Sequence, residues 1–425
     1  MEVRKGFKFT PLGLIPNEWK VITFGDLPEK SNRWGITGGP FGSNLKKSDY
    51  VNDGVRILQL QNIGDGDFLD DYKIYTSKRK ADELISCNIY PGEIILSKMG
   101  DPVARCCFIP LNDRRYLMAS DGIRLVVDEK RFDKRLVKFY INSTYFRKKA
   151  IEASTGTTRQ RIGLVELKTL PFISPPIAEQ HAIAEALSDV DALISSLEEL
   201  IAKKRVIKQG VMQELLTGKR RLPGLSDLWE IKKLVDMVDI RSGGTPSTLR
   251  QEYWGGEIPW CTPTDITALK KNKYIYKTKK MISEFVLKNS SAEIIPSNSI
   301  IMTSRATIGE CAINKIPIST NQGFKNLIPK DGVDVEFLYY VLQTKKQELI
   351  SLSSGSTFLE INKGKLAKVK FYLPKKKPEQ SAIAKILSSL DLEINILQEK
   401  LNKAKLIKQG MMQELLTGRI RLIKD

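Results

Sequence analysis

The side chains of this sequence that could recognise a ligand are cations and amides set close to turns. Lys46-Lys47, Arg147-Lys148-Lys149, Arg159-Gln160-Arg161, Lys270-Lys271-Asn272-Lys273 and the stretch from Lys277 to Lys280, with Tyr274 and Tyr276 interleaved, are suited to phosphate contacts. Base readout needs side chains that make two hydrogen bonds to one base edge. Gln59, Gln61, Asn62 and Gln160 in the first half of the chain, and Arg305, Asn321 and Gln322 in the second, are of that type. Lys98, at the end of a short apolar strand, and Thr357, in a small polar turn, complete the candidate set. The whole chain agrees in sign: 68 Lys and Arg face 49 Asp and Glu, a net charge of +19. Such an excess favours a polyanionic partner, and nucleic acid in particular.

Catalytic machinery is hard to find. No G-x-x-x-x-G-K-[ST] loop and no G-x-G-x-x-G after a strand is present, so neither ATP nor a dinucleotide has a cradle. Asp101-Pro102 is not the proline-rich motif of an adenine methyltransferase, and Glu166-Leu167-Lys168, half of a nuclease pattern, has no counterpart elsewhere. Cys87, Cys106, Cys107, Cys261 and Cys311 form no C-x-x-C pair, which suits a reducing compartment and argues against a zinc site. The single histidine, His181, reads as structural. With no stretch near eighteen apolar residues and no apolar core in the opening ten, a cytoplasmic protein is expected. The chain reads as a binder that contains no catalytic residues, no metal site and no cofactor of its own.

The elements that must position these residues are written twice. Ile207–Gly218 is IKQGVMQELLTG and Ile407–Gly418 is IKQGMMQELLTG, and extending both copies gives roughly 25 identities in about 45 positions. Ile183, Leu187, Val190, Ile194, Leu197, Ile201, Lys204, Lys208, Val211 and Leu215 follow a 4-3 spacing. So do Ile383, Leu387, Leu390, Ile394, Leu397, Leu401, Ala404, Lys408, Met411 and Leu415. That narrow stripe predicts a coiled-coil helix in each copy, about 55 Å long, ended by Gly218 or Gly418. Each helix needs a partner for its seam, and the other copy is the nearest one. An internal two-fold repeat makes the pair antiparallel and brings Gly418 as near to Trp19 as Gly218 is to Trp229.

Between the helices lie two segments with matching landmarks. Each starts at a tryptophan and runs into a glycine turn, Gly38-Gly39-Pro40-Phe41 or Gly243-Gly244-Thr245-Pro246. A strand closing near Lys98 or Arg305 follows, then a helical run, then a polar turn beginning at Ser154 or Ser353. The order of elements predicts an α+β fold with two similar globular domains: a first domain over residues 1–177, a spacer helix over 178–222, a second domain over 223–377 and a second helix over 378–425.

Several runs together resemble the DNA specificity subunit of type I restriction-modification systems. They are Pro16 to Asp26, Gly243-Gly-Thr-Pro-Ser247, Tyr253 to Trp260, Thr320-Asn-Gln-Gly-Phe324 and the Pro-x-x-Glu-Gln start of each helix leading to Leu-Leu-Thr-Gly. The first domain departs from the pattern, with Gly39-Pro40-Phe41-Gly42-Ser43 for the Gly-Thr-Pro turn and Ser120-Asp121-Gly122 for Asn-Gln-Gly. The resemblance implies two target recognition domains, each reading one half of a bipartite double-stranded DNA sequence, with the helices setting the gap. It implies two methyltransferase subunits that use S-adenosylmethionine, and restriction subunits that use ATP and Mg²⁺. Ile194, Leu197, Ile201, Leu215, Ile394, Leu397, Leu401 and Leu415 are the residues expected to form the spacer and its docking face. Lys208 and Lys408 on the seam, with Gly210 and Gly410 beside them, either loosen the coiled coil toward its Leu-Leu-Thr-Gly end or mark that end as a docking face for another subunit, the second being the preferred reading. A stand-alone two-headed DNA-binding regulator is the alternative.

Overall fold

A computed structural model describes residues 6–225, 228–270, 272–354 and 359–423. The chain forms two compact units, one running to Glu198 and resuming at Glu399, the other spanning Glu199–Gln398. Each long helix therefore contributes one half to each unit.

In the first unit four antiparallel strands form the sheet that matters most for the site. They are β1 (Ile36–Gly38), β2 (Ile94–Ser97), β3 (Cys106–Phe108) and β4 (Gly122–Leu125), in the spatial order β1-β4-β2-β3. The second unit repeats this with β5 (Val238–Ser242), β6 (Ile300–Thr303), β7 (Cys311–Asn314) and β8 (Phe324–Pro329) in the order β5-β8-β6-β7, extended by Tyr274–Ile275. The central strands, IILS in β2 and IIMT in β6, are buried at every position, as continuous apolar runs of β-branched residues require. A second sheet in each unit, of five strands in the first and three in the second, contains a parallel pair, Val55–Leu58 with Tyr116–Met118 and Trp254–Cys261 with Ser319–Thr320. A strand near the start of each unit then pairs with the unit's last strand, Lys20–Thr23 with Pro171–Ser174 and Trp229–Lys233 with Lys370–Pro374.

One glycine fixes the register of each unit. Cβ atoms added at Gly39 and Gly243 would lie 1.7 Å from the carbonyl oxygen of Ala119 and 1.9 Å from that of Asn321. No side chain fits there, so the turn closes only on glycine. Gly39 N–H donates to the Gly122 carbonyl and Gly243 N–H to that of Phe324, which pairs Gly39 with Gly243. The sequence pairing of the two halves is corrected by one residue at three places. Gly39, not Gly38, matches Gly243. The amides of Lys98 and Ser304 donate to the carbonyls of Asp121 and Gly323 respectively, so Asp121 matches Gly323 and Lys98 matches Ser304. Met99, not Lys98, is then the counterpart of Arg305. Residue types in a turn do not reveal a single-residue shift; backbone hydrogen bonds do.

The helix α1 (Lys134–Ile141) packs on the sheet of the first unit, and α3 (Val335–Thr344) occupies the same place in the second. The long helices are α2 (Ile177–Leu215) and α4 (Lys377–Leu415), each of 39 residues. Gly218 and Gly418, at φ +72° and +71°, end them in the left-handed region. Ile183 and Leu187 of α2 enter the core of the first unit together with Leu415 and Leu416 of α4. Ile383 and Leu387 of α4 enter the core of the second with Leu215 and Leu216 of α2.

Within each unit the two helix halves run antiparallel. Lys204 and Lys208 of α2 pair with Glu393 and Asp391 of α4 at 2.6 and 2.5 Å, the residue number rising on one helix as it falls on the other. In the first unit Lys405 and Lys408 of α4 pair with Glu198 and Asp191 of α2 at 2.6 and 2.5 Å. Every residue of the expected 4-3 stripes is buried or half-buried. The seam lysines thus have intramolecular partners. Each ammonium also lies over a ring, Lys208 on Tyr340 and Lys408 on Phe139.

The helix starts are clamped to the domain starts. The Trp19 indole N–H donates to Glu179 Oε2 at 2.8 Å, and Arg421 Nε donates to Glu179 Oε1 at 2.5 Å. In the second unit Glu379 accepts from Trp229 at 3.3 Å and from two nitrogens of Arg221 at 2.8 Å each. Both carboxylates are buried, so each requires these donors. Gly418 lies against Trp19 and Gly218 against Trp229, as the repeat requires.

Candidate nucleic-acid interface

In the first unit the turns at the end of the sheet enclose two adjoining cavities. One, of about 270 Å³, is lined by Pro40, Tyr50, Gln59, Gln61, Ser120 and Asp121 among others. The other, of about 530 Å³, is lined by Met99, Gly100, Asp101, Thr157, Thr158, Arg159 and Gln160, and Leu60 lines both. Gln61 on the one side and Arg159 and Gln160 on the other, distant in sequence, therefore line adjoining cavities. The Gln59 amide reaches Tyr50 Oη at 3.4 Å, and Arg161 donates to the Asp121 carboxylate.

Not every candidate stands there. Asn62 is fully buried, donating to the carbonyls of Leu69 and Tyr72 at 3.0 and 2.9 Å while its side-chain oxygen accepts from the Gln59 backbone N–H at 3.0 Å. It shapes the turn that presents Gln61, and it cannot reach a base. Lys46 and Lys47 are exposed beside the short turn before Tyr50, and Lys98 is half-buried.

In the second unit Arg305 and Gln322 are exposed and Asn321 is half-buried. Asn321 Oδ1 accepts from the Gly323 amide at 3.0 Å. Lys273 is not a surface cation. Only 7% exposed, it donates to Glu336, Tyr340 and Ser388 at 3.0, 3.1 and 2.5 Å. Burial raises the Glu336 carboxyl, but hydrogen bonds from Tyr274, Ser388 and Lys273 outweigh it and hold the group below the usual range. A lysine run in sequence does not reveal that one member turns inward. Lys271 and Thr357 lie outside the described residues.

Two acids that sequence reading passed over organise the turns around these cavities and their counterparts in the second unit. Asp121 holds Arg161, and Glu360 accepts from Arg305 Nε at 2.7 Å and from Lys325 at 3.5 Å. The signal was present: when the polar turns from Ser154 and Ser353 are aligned, Arg161 falls opposite Glu360.

Among the described residues no three His, Cys, Asp or Glu side chains gather as metal ligands. All five cysteines are buried, and burial pushes the Cys107 and Cys311 thiols up to about 12, far from a reactive thiolate. Glu166 and Lys168 lie on a six-residue helix, and His181 sits 4.0 Å from Asp133. No helix among the described residues is long and apolar enough to cross a membrane.

Of the residues expected to dock partners, Leu197, Ile201, Ile394, Leu397 and Leu401 are buried and Ile194 is half-buried, while Leu215 and Leu415 belong to the unit cores. A charge at Leu215 or Leu415 would disrupt the unit itself. The exposed large apolar side chains of the helices lie elsewhere, at Ile177, Leu193, Leu200, Val206 and Ile207, and at Leu392, Ile396, Leu406 and Ile407.

Comparison with known proteins places this arrangement. The family model described as type I restriction modification DNA specificity domain matches twice, over residues 16–208 and 226–406. The MjaIX specificity subunit of a type I restriction enzyme from Methanocaldococcus jannaschii is 46% identical over 165 residues, a match covering 38% of each chain. A second protein of that organism, named as the MjaX specificity subunit, is 24% identical over 437 residues and covers 98% of this chain and 97% of its own. The crystal structure of a type I restriction-modification S subunit from M. genitalium aligns over 98% of both chains, with TM-score 0.59 and 18% identity, and so shares the fold. The chain belongs to the type I restriction-modification DNA specificity family.

Proposed function

We propose that this protein is the non-catalytic specificity subunit of a type I restriction-modification enzyme, and that each unit reads one half of a bipartite DNA target. The observation that carries the reading is the duplication: two units built on one plan, presenting different polar side chains at matching turns. A net charge of +19 supports binding along phosphates, and Gln61, Arg159 and Gln160 in one unit and Arg305, Asn321 and Gln322 in the other supply base-reading groups. The helices would set the unread gap between half-sites. Family membership favours this reading over a stand-alone regulator.

Catalysis is assigned to partners in the cytoplasm. Two methyltransferase subunits would bring S-adenosylmethionine and modify an adenine in each half-site, and restriction subunits would bring ATP and Mg²⁺. Val206, Ile207, Leu406 and Ile407, exposed at matching positions of the two helices, are the face we assign to methyltransferase docking. The test is methyl transfer from S-adenosylmethionine to duplex DNA. The chain alone should transfer none, and adding the adenine methyltransferase encoded beside it should give sequence-specific transfer. Transfer by the chain alone would contradict the proposal.

A further inference from the structure

We propose that each unit carries one guanine-reading arginine aimed by a carboxylate: Arg161, held by Asp121, in the first unit and Arg305, held by Glu360, in the second. This rests on the functional reading above and names the residues that read one base in each half-site.

The two arginines stand on opposite sides of one corresponding bridge, Arg161 at the place of Glu360 and Arg305 at the place of Met99. Just beyond the central strand, a single isolated bridge joins the sheet to the polar turn in each unit, Met99 with Arg161 and Arg305 with Glu360. In the first unit the cation comes from the turn and the acid from the start of β4. In the second the acid comes from the turn and the cation from the end of β6. A cation–acid pair stands at the bridge in both units, although Asp121 corresponds to Gly323 and Arg305 to Met99, so the two pairs draw on different positions.

The geometry suits recognition. The side chains of Arg161 and Arg305 are 48% and 44% exposed, whereas Asp121 and Glu360 are 19% and 30% exposed. The acid is the inner, fixed partner and the guanidinium the outer one. Glu360 is further fixed by Lys325, which is buried on β8. Arg305 spends only Nε on Glu360, and Arg161 only Nη2 on Asp121, so among the described residues each keeps donors free. A planar fork restrained on one edge presents the other with little entropy left to lose, and two donors in that plane match guanine O6 and N7. Stability does not explain the pairs, because exposed ion pairs contribute little. The surroundings of Arg161 fit a base, because it joins Asp121, on the wall of one cavity, to Gln160, on the wall of the next.

The experiment uses the full chain assembled with its methyltransferase and a DNA library randomised across both half-sites. Arg305→Lys and Glu360→Gln should each lower the preference for guanine at one position of one half-site by about 10- to 100-fold, leaving the other half-site unchanged. Arg161→Lys and Asp121→Asn should do the same in the other half-site. Glu360→Asp, which keeps the charge, should retain most of the preference. Thermal midpoints should stay near wild type, separating aim from folding. Unchanged preferences in folded variants, or an equal loss for all four bases, would overturn the proposal while leaving the wild-type split recognition intact. A wild-type complex with no sequence preference would overturn both this proposal and the reading beneath it.

Discussion

Arg421→Met tests the clamp that closes the first unit. The substitution keeps an aliphatic stem but removes the guanidinium that donates to Glu179 at 2.5 Å. Glu179 is only 2% exposed at its side chain, so its charge would be left with the Trp19 indole as sole neutral donor, at 2.8 Å. Breaking a buried pair from one side costs about 3–5 kcal/mol. Arg421 is itself 22% exposed and water can partly replace it, which places the expected loss near about 3 kcal/mol. Against a typical domain stability of about 5–15 kcal/mol that is a large share. Urea unfolding of the full chain should show an early transition for the first unit alone, since Glu379 of the second unit keeps Arg221 and Trp229. Glu179→Gln should also destabilise, and the double variant Arg421→Met with Glu179→Gln should lose less than the sum, by about 1–3 kcal/mol. Two single losses below about 0.5 kcal/mol that simply add would refute the clamp.

Other outcomes follow from the same geometry. Gly39→Ala and Gly243→Ala each place a Cβ under 2 Å from a carbonyl oxygen, so each should destabilise its unit by about 3 kcal/mol or more, read by the same unfolding curves. Lys208→Glu should weaken the seam by about 1 kcal/mol, and adding Asp391→Lys should restore it, because the pair is matched across antiparallel halves. Val206→Asp with Leu406→Asp, at side chains 70% and 68% exposed, should leave stability within about 0.5 kcal/mol yet lower methyltransferase affinity in sedimentation. The hydrogen bond from Arg147 holds the Asp65 carboxyl below its ordinary range. Its stabilisation is complete above the unfolded carboxylate range and is lost as pH falls through the lowered folded value. Asp65→Asn should therefore be less stable than wild type at neutral pH and converge with it in acid.

Much of this was legible in the sequence for a physical reason. A seam repeated at 4-3 spacing and then copied allows few folds, so both helices, their antiparallel pairing and the approach of Gly418 to Trp19 could be read in advance. Side-chain direction could not. Asn62 and Lys273 have the residue types of binders, yet one supports a turn and the other fills a polar core between α3 and α4. Whether an amide faces solvent or carbonyl oxygens depends on contacts remote in sequence. The exchange of Arg161 for Glu360 was visible in the aligned turns, but its meaning depends on Asp121 and Arg305, which only the folded sheet brings to them. Lys208 and Lys408 looked like breaks in an apolar seam until Asp391 and Asp191 appeared opposite.

The most direct measurement is a map of methylated adenines in DNA exposed to this chain assembled with its methyltransferase. The account predicts a split motif with a fixed gap and one modified adenine in each half. Methylation at a continuous motif, or without sequence preference, would contradict it.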